Sequence, residues 1–150
     1  MGTGPFGIRK VMNSLTLMVV SSFFLMIYDF KEARIPNWAV FSLLAIGVIH
    51  NLPGTLEVWF ATVFLILTGS TGNNIGMGDI KLWLAWFWLI PPSYATAGLV
   101  VGFGTMFLTA LIEVIIRKSA GVGNKRPAAW RVFVATLLFA FVPFTGWFSA

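Results

Sequence analysis

The longest apolar stretch of the sequence, residues 95–116, reads ATAGLVVGFGTMFLTALIEVII, and Glu113 is its only charged residue. A helix needs roughly 20 mainly apolar residues to cross a lipid bilayer, so this stretch is long enough to span one. Five further apolar stretches flank it in the chain: 12–28, 38–49, 56–68, 80–90 and 130–148. The pattern predicts an all-α integral membrane protein, a polytopic bundle of about six transmembrane helices.

Composition points to the same class of protein. The 150 residues are 58% hydrophobic and only 10% charged, whereas soluble domains contain about 25% charged residues. A soluble fold of this size cannot hide so much apolar surface from water. We therefore expect residues 1–150 to form a single transmembrane domain. Arg9 and Lys10 precede the first stretch, but no small-residue cleavage pattern follows it, so we expect this stretch to be retained.

The scarcity of metal-binding and redox side chains narrows the chemistry. The chain has no cysteine and one histidine, His50, which excludes disulfides, thiol catalysis and thiolate metal sites and disfavours a histidine cluster. We expect no metal and no other cofactor. The net charge is +5, but the basic residues lie in short connections beside apolar stretches. That position indicates contact with anionic lipid headgroups rather than with nucleic acid.

The basic residues also predict an orientation. Eight of the ten Lys and Arg residues follow the first, third and fifth stretches: Lys31, Arg34, Lys81, Arg117, Lys118, Lys125, Arg126 and Arg131. The positive-inside rule places these connections in the cytoplasm and both termini outside. Arg9 and Lys10 favour the opposite orientation, but they are outnumbered.

Two carboxylates stand where the predicted spans meet this cytoplasmic face. Asp29 ends the first stretch and Asp79 begins the fourth. Ionisable groups at membrane depth usually face a cavity or a partner, and two neighbouring carboxylates share one proton. Such a pair suits aspartyl proteolysis, in which the ionised carboxylate takes a proton from water and the protonated one polarises the scissile carbonyl. Alternatively, Asp79 caps a helix, and Asp29 pairs with Lys31 or Arg34.

Each aspartate lies in a distinctive segment. Residues 76–82 read GMGDIKL, in which Gly76 and Gly78 permit unusual dihedral angles and the close approach of another backbone. Lys81 is expected to bias the ionisation of the pair or to bind a headgroup. Residues 29–37 read DFKEARIPN, in which Pro36 fits the first turn of the next helix and Asn37 can bond its exposed backbone groups.

Together the two segments resemble those of the prepilin peptidases, a family of membrane aspartyl proteases. The family has an aspartate six residues before an I-P-N turn, here Asp29 and Ile35-Pro36-Asn37, and a second aspartate in G-x-G-D, here Gly76-x-Gly78-Asp79 followed by Ile80-Lys81-Leu82. Lys125-Arg126-Pro127 is similar to a basic stretch before the family's last span.

The resemblance implies that Asp29 and Asp79 are catalytic. The substrate would be a type IV prepilin or pilin-like precursor, cut at the cytoplasmic face of the cell membrane to remove its basic leader. Glu32 is a candidate for binding that leader. Larger members of the family carry a cysteine-containing region and N-methylate the mature pilin. This chain resembles the compact, peptidase-only members of tight-adherence (Flp) and archaeal systems, so methylation is not expected.

Two other classes of function remain open at this point. One is a small proton- or ion-coupled transporter that uses the same aspartates as a relay, although relay carboxylates are expected deep within spans. The other is a non-catalytic scaffold of a pilus or secretion machine.

Several other residues carry structural expectations. Spacing i, i+4 predicts an ion pair between Glu113 and Arg117. His50 and Asn51 are expected at the membrane interface. Gly98, Gly102 and Gly104 are expected at close helix contacts. The tryptophans near span ends are expected to anchor the chain at the membrane interface; they are Trp38, Trp59, Trp130 and Trp147. The tryptophans that follow Asp79 are expected to pack inside the protein or to face lipid, and Trp83 is expected to border the site; they are Trp83, Trp86 and Trp88.

Overall fold

A computed structural model of the chain describes residues 5–32, 34–71, 77–120 and 129–145. Within these ranges the protein is all-α, and no strand is present. The six α-helices are α1 (Pro5–Glu32), α2 (Asn37–Asn51), α3 (Leu56–Ser70), α4 (Met77–Leu89), α5 (Ala95–Ala120) and α6 (Ala129–Thr145). A 3₁₀ turn, Pro92–Tyr94, joins α4 to α5. Each predicted apolar stretch corresponds to one helix, so the all-α prediction is confirmed.

Helix α4 is the centre of the bundle. It packs against all five other α-helices, and every residue from 85 to 90 is buried. A helix that is apolar on all sides must be covered on all sides, and here the cover is protein. This position explains why a stretch that looked short for a membrane span is only 13 residues long as a helix.

Buried tryptophans on α4 join it to its neighbours by hydrogen bonds. Trp86 Nε1 donates to Thr136 Oγ1 of α6 at 2.9 Å, and Trp88 Nε1 donates to Thr62 Oγ1 of α3 at 3.1 Å. Both indole N–H groups therefore have the partner that a buried tryptophan requires. Trp83 is buried as well, so all three tryptophans after Asp79 pack inside the bundle and none faces outward.

Glycines allow α2 and α5 to approach α4 closely. A Cβ at Gly47 would lie 2.8 Å from the backbone carbonyl carbon of Trp88. A Cβ at Gly102 would lie 2.6 Å from the Phe87 ring, and Gly98 lies against Ile90. The prediction of close contact was right for Gly98 and Gly102. It was wrong for Gly104, where nothing lies within 4 Å, because this residue is on the outer side of α5.

The helices alternate in direction, which gives the bundle two distinct ends. At the end opposite Asp29, Asn51 Nδ2 donates to the Trp88 carbonyl at 2.6 Å, and Thr96 Oγ1 of α5 donates to Glu57 Oε1 of α3 at 3.0 Å. Asn51 is buried and His50 is exposed. The expected interfacial role is therefore wrong for Asn51, whose amide satisfies a carbonyl at the end of α4.

The outer surface of the bundle is largely apolar. The five helices around α4 carry exposed large side chains, among them Phe24, Trp38, Leu56, Phe107 and Phe141. In the described part of the chain, two segments are long and apolar enough to cross a membrane, Arg9–Glu32 and Pro92–Ile116. In the most apolar 18 residues of each segment, only 22% of Arg9–Glu32 and 17% of Pro92–Ile116 is buried inside the protein. Core helices of soluble proteins would be mostly covered by protein.

Helix α1 is an integral part of the fold. It packs along α6. The Met18 side chain is almost completely buried, and the Leu15 and Leu25 side chains are buried as well. The first apolar stretch therefore packs within the bundle as α1, and its retention stays a prediction.

Candidate active site

Asp29 lies in the last turn of α1 and is buried, with 5% of its surface exposed. Its Oδ2 accepts a hydrogen bond from the backbone N–H of Ala129 at 3.0 Å. Ala129 is the first residue of α6, and the N–H groups of a first helical turn have no partner within the helix. The carboxylate also lies where the helix dipole favours negative charge. Asp29 thus ties the end of α1 to the start of α6, while Lys31 and Arg34 are exposed.

Asp79 lies in the first turn of α4, just before the apolar stretch that begins at Ile80. Its carboxylate is within electrostatic range of the Arg131 guanidinium and of the Asp29 carboxylate. Burial raises the pKa of Asp79 to about 6, although the Arg131 charge lowers it, and the Asp29 charge raises it further. Asp79 therefore holds a proton closer to neutral pH than an ordinary aspartate does.

Arg131 and Glu113 complete the charged groups around the two aspartates. Arg131 lies in the first turn of α6 and forms an ion pair with Glu113 of α5. Both side chains are mostly buried, with 20% and 15% of their surface exposed. Four helices, α1, α4, α5 and α6, thus bring one charged residue each to the same end of the bundle.

The sequence analysis did not identify Arg131 as a site residue and paired Glu113 with Arg117 instead. The structure pairs Glu113 with a residue on another helix, and the Arg117 side chain lies outside the described residues. One signal was present in the sequence. Glu113 is the only charge in its apolar stretch, Arg131 is the only charge in the last one, and both lie at the end of the stretch for which the loop charges predict the cytoplasmic side. Isolated charges of opposite sign at one level of a bundle predict an interhelical pair.

The predicted glycines around Asp79 are only partly visible. Gly76 lies outside the described residues, as do Lys125-Arg126-Pro127 and Trp147. Gly78 belongs to the first turn of α4, so it is helical and does not use an unusual dihedral angle. No atom of the described residues lies within 4 Å of the position that a Cβ would take there.

The remaining predicted site residues lie around the pair rather than in it. Lys81 Nζ lies 5.6 Å from the ring centroid of Phe41 on α2, so its charge stabilises the α2–α4 contact. The cation that acts on Asp79 is Arg131.

The turn that follows Asp29 is shaped by its proline. Ile35 packs against the core. Pro36 was expected in the first turn of α2, but it lies just before the helix. Its carbonyl accepts a hydrogen bond from the N–H of Ala39 at 3.1 Å. Asn37 is the exposed first residue of α2, and no side-chain hydrogen bond caps this helix. Glu32 is exposed at the end of α1, where a substrate can reach it.

The groups that the described part of the site offers to a ligand are carboxylates, a guanidinium and backbone groups. Among the described residues, no group of three or more His, Cys, Asp or Glu side chains is arranged to hold a metal ion. Comparisons of the chain with protein-family models, with curated proteins and with solved structures give no match. The interpretation of the site therefore depends on its geometry and on the two motif segments that contain the aspartates.

Proposed function

We propose that this protein is a polytopic membrane aspartyl endopeptidase that removes the leader of type IV pilin-like precursors. One observation carries the proposal: Asp29 of α1 and Asp79 of α4 lie within electrostatic range of each other at one end of the bundle. The two aspartates also stand in the motif segments that resemble those of prepilin peptidases. These are the only two aspartates of the chain.

The chemistry follows from two carboxylates that share one proton. Asp79, whose pKa is about 6, is suited to hold that proton and to donate it in a hydrogen bond to the scissile carbonyl oxygen. Asp29, ionised, takes a proton from a water molecule, whose oxygen attacks the carbonyl carbon. In the resulting gem-diol, Asp29 gives its proton to the leaving nitrogen while Asp79 takes the proton of one diol hydroxyl, and the C–N bond breaks. The products are a carboxylic acid and an amine, which exchange a proton to become a carboxylate and an ammonium group, and the two aspartates again share one proton.

The surface and charge distribution support a membrane setting for this reaction. The two candidate spans in α1 and α5 present mostly apolar, uncovered surface, which suits contact with lipid and with the apolar helix of a precursor. The end with the aspartates carries the exposed charges Lys31, Glu32 and Arg34. The positive-inside rule assigns this end to the cytoplasm, where the basic leader of a precursor is presented.

Co-expression with a precursor of a tight-adherence or archaeal pilin tests the proposal. We expect the wild-type chain to shorten the precursor on a gel, and Asp29→Asn and Asp79→Asn each to abolish this change, because each removes one member of the proton-sharing pair. Glu57→Gln is the matched control. It changes an acidic residue at the opposite end of the bundle, and we expect it to cleave normally. Normal processing by either aspartate variant, or no processing by the wild-type chain, would contradict the proposal.

A further inference from the structure

The first turn of α6 contacts Asp29 and lies within electrostatic range of Asp79. Ala129 donates its backbone N–H to Asp29, and two residues later Arg131 acts on Asp79. Helix α6 is otherwise apolar over its described length, since Arg131 is the only charged residue between Ala129 and Thr145. Charged side chains in an apolar helix are costly at membrane depth and usually have a partner or a functional role. Such a cost indicates that this guanidinium has a role at the aspartate pair.

The Arg131–Glu113 ion pair leaves part of the guanidinium available. Arg131 contacts Glu113 through Nη2, while its Nε is buried and has no hydrogen-bond partner among the described residues. A guanidinium presents five N–H donors in a fixed, planar arrangement. Glu113 therefore holds one edge of the Arg131 guanidinium, and the buried Nε of the same group is not used by a described acceptor.

We propose that Arg131, held by Glu113, is a positioning residue that orients Asp79 and sets the pH range in which the Asp29–Asp79 pair works. This inference rests on the proposed peptidase function, but its physical content, the coupling of three charged side chains, is measurable without proteolysis.

Other charged groups do not provide this control in the described part of the chain. The ionisable residues of α2 and α3, His50 and Glu57, lie at the opposite end of the bundle. Lys81, on α4 itself, lies over the Phe41 ring of α2. The residues of α1 beside the site other than Asp29 are exposed to solvent; they are Lys31 and Glu32, followed by Arg34 in the turn. Only Arg131 and Asp29 act on Asp79 electrostatically.

Two substitutions are expected to act on Asp79 in opposite directions. Arg131→Gln removes the cation that favours ionised Asp79, so Asp79 should keep its proton to higher pH. Glu113→Gln removes the anion that partly neutralises Arg131, so Asp79 should lose its proton at lower pH. An opposite charge at close range changes a carboxyl pKa by about 1–3 units. We therefore expect each midpoint to move by about one pH unit.

The chain allows Asp79 to be titrated alone. It has only two aspartates, so ¹³C-labelled aspartate in an Asp29→Asn background gives a single carboxyl signal, that of Asp79. The full chain is reconstituted in lipid and titrated by isotope-edited infrared or NMR spectroscopy. Arg131→Gln should raise the midpoint and Glu113→Gln should lower it. Midpoints that do not move, or that move in the same direction, would overturn the inference.

Cleavage measurements then connect this coupling to activity. With Asp79 as the proton donor, activity falls as pH rises through its titration, so Arg131→Gln should move this alkaline limb to higher pH and Glu113→Gln to lower pH. Loss of this charge beside Asp79 should also lower kcat by about 10-fold, the factor that corresponds to one pKa unit. Arg131→Lys keeps the charge, so its alkaline limb should stay near that of wild type.

Unfolding of the single variants is controlled by a double variant. Breaking a buried ion pair leaves one charge unpaired and is strongly destabilising, whereas Arg131→Gln combined with Glu113→Gln removes both charges. The double variant should titrate between the two single variants. A midpoint outside the interval between the two single variants, in a folded chain, would overturn the inference. The proposed function fails separately, when the wild-type chain does not cleave a precursor or when Asp29→Asn and Asp79→Asn still do.

Discussion

Asp29 and Asp79 are coupled at the residue scale through the first turn of α6. One backbone N–H and one guanidinium, two residues apart, act on carboxylates that are separated by 50 positions in the sequence. Because both groups belong to one rigid helix, a shift of α6 would change the surroundings of both aspartates together. The start of this helix is therefore as much a part of the site as the two motif segments are.

The position of both aspartates at one end of the bundle was predictable, whereas the isolated charges Glu113 and Arg131 do not by themselves indicate which helices are neighbours. Alternation of span direction is enough to bring the end of the first helix and the start of the fourth to the same face, and it requires no knowledge of packing. Pairing Glu113 with Arg131 requires knowing that α5 and α6 are neighbours in space. A rule based on i, i+4 spacing considers only partners on the same helix, so it selected Arg117.

A methyl group added next to Asp79 should block substrate without disturbing the fold. Gly78→Ala places a Cβ in open space, and alanine favours a helix over glycine by about 1 kcal/mol. We expect unchanged or slightly higher thermal stability. We also expect a loss of kcat/KM on the order of 100-fold, because a displacement of about 1 Å of the reacting groups has this effect.

Gly104→Ala is the matched control for this substitution. Gly104 is also helical with open space at its Cβ position, but it lies on the outer side of α5. We expect normal cleavage from this variant. Equal activity of the Gly78→Ala and Gly104→Ala variants would mean that substrate approaches Asp79 from another side.

At the element scale, α4 determines how the other helices are arranged. Its six buried residues from 85 to 90 have no polar face, and so the sequence gives no periodicity from which a buried side can be chosen. This is why the sequence predicted that α4 exists but did not predict that it is central. The same lack of a polar face made Trp86 and Trp88 look as suited to lipid as to protein, until their hydrogen-bond partners on α6 and α3 were known.

The contact between α2 and α4 should be sensitive to one methyl group. Gly47→Ala would place its Cβ 2.8 Å from the carbonyl carbon and oxygen of Trp88. These are backbone atoms of a buried helix, so they cannot move aside as a flexible side chain can. We expect a loss of about 1–3 kcal/mol in the free energy of unfolding, the usual cost of overpacking, in an unfolding titration in detergent. A variant as stable as Gly104→Ala would show that α2 is free to shift.

The contact between α4 and α6 should depend on the Thr136 hydroxyl. Thr136→Val keeps the shape of the side chain but leaves the buried Trp86 N–H without its acceptor. We expect a loss of about 1–3 kcal/mol in the free energy of unfolding, the cost of an unsatisfied buried donor. Thr105→Val is the control, because the buried Thr105 hydroxyl donates only to the carbonyl of Val101 in its own helix. Equal losses in the two variants would mean that the Trp86 bond contributes nothing specific.

On the scale of the whole molecule, the bundle has chemically different ends and an apolar side surface. The hydrogen-bonded pairs at one end, buried Asn51 with Trp88 and Glu57 with exposed Thr96, join helices, and no carboxylate pair lies there among the described residues. The other end collects Asp29, Asp79, Arg131 and Glu113. Composition predicted the apolar side surface, and loop charges predict that the end with the aspartates faces the cytoplasm. The proposed orientation therefore rests on loop charges, and the proposed reactivity rests on the carboxylates inside the bundle.

The lack of native cysteine allows this orientation to be measured directly. Ser93→Cys introduces a thiol in the exposed turn between α4 and α5, and Thr71→Cys introduces one in an exposed position after α3, at the end that contains Asp79. Because the positive-inside rule assigns the Asp79 end to the cytoplasm, a thiol reagent that cannot cross membranes should label Ser93→Cys in intact cells. It should label Thr71→Cys only after the cells are opened. The reverse pattern would place the aspartates outside, where a precursor still carrying its leader is not presented, and labelling of both in intact cells would contradict the proposed membrane bundle.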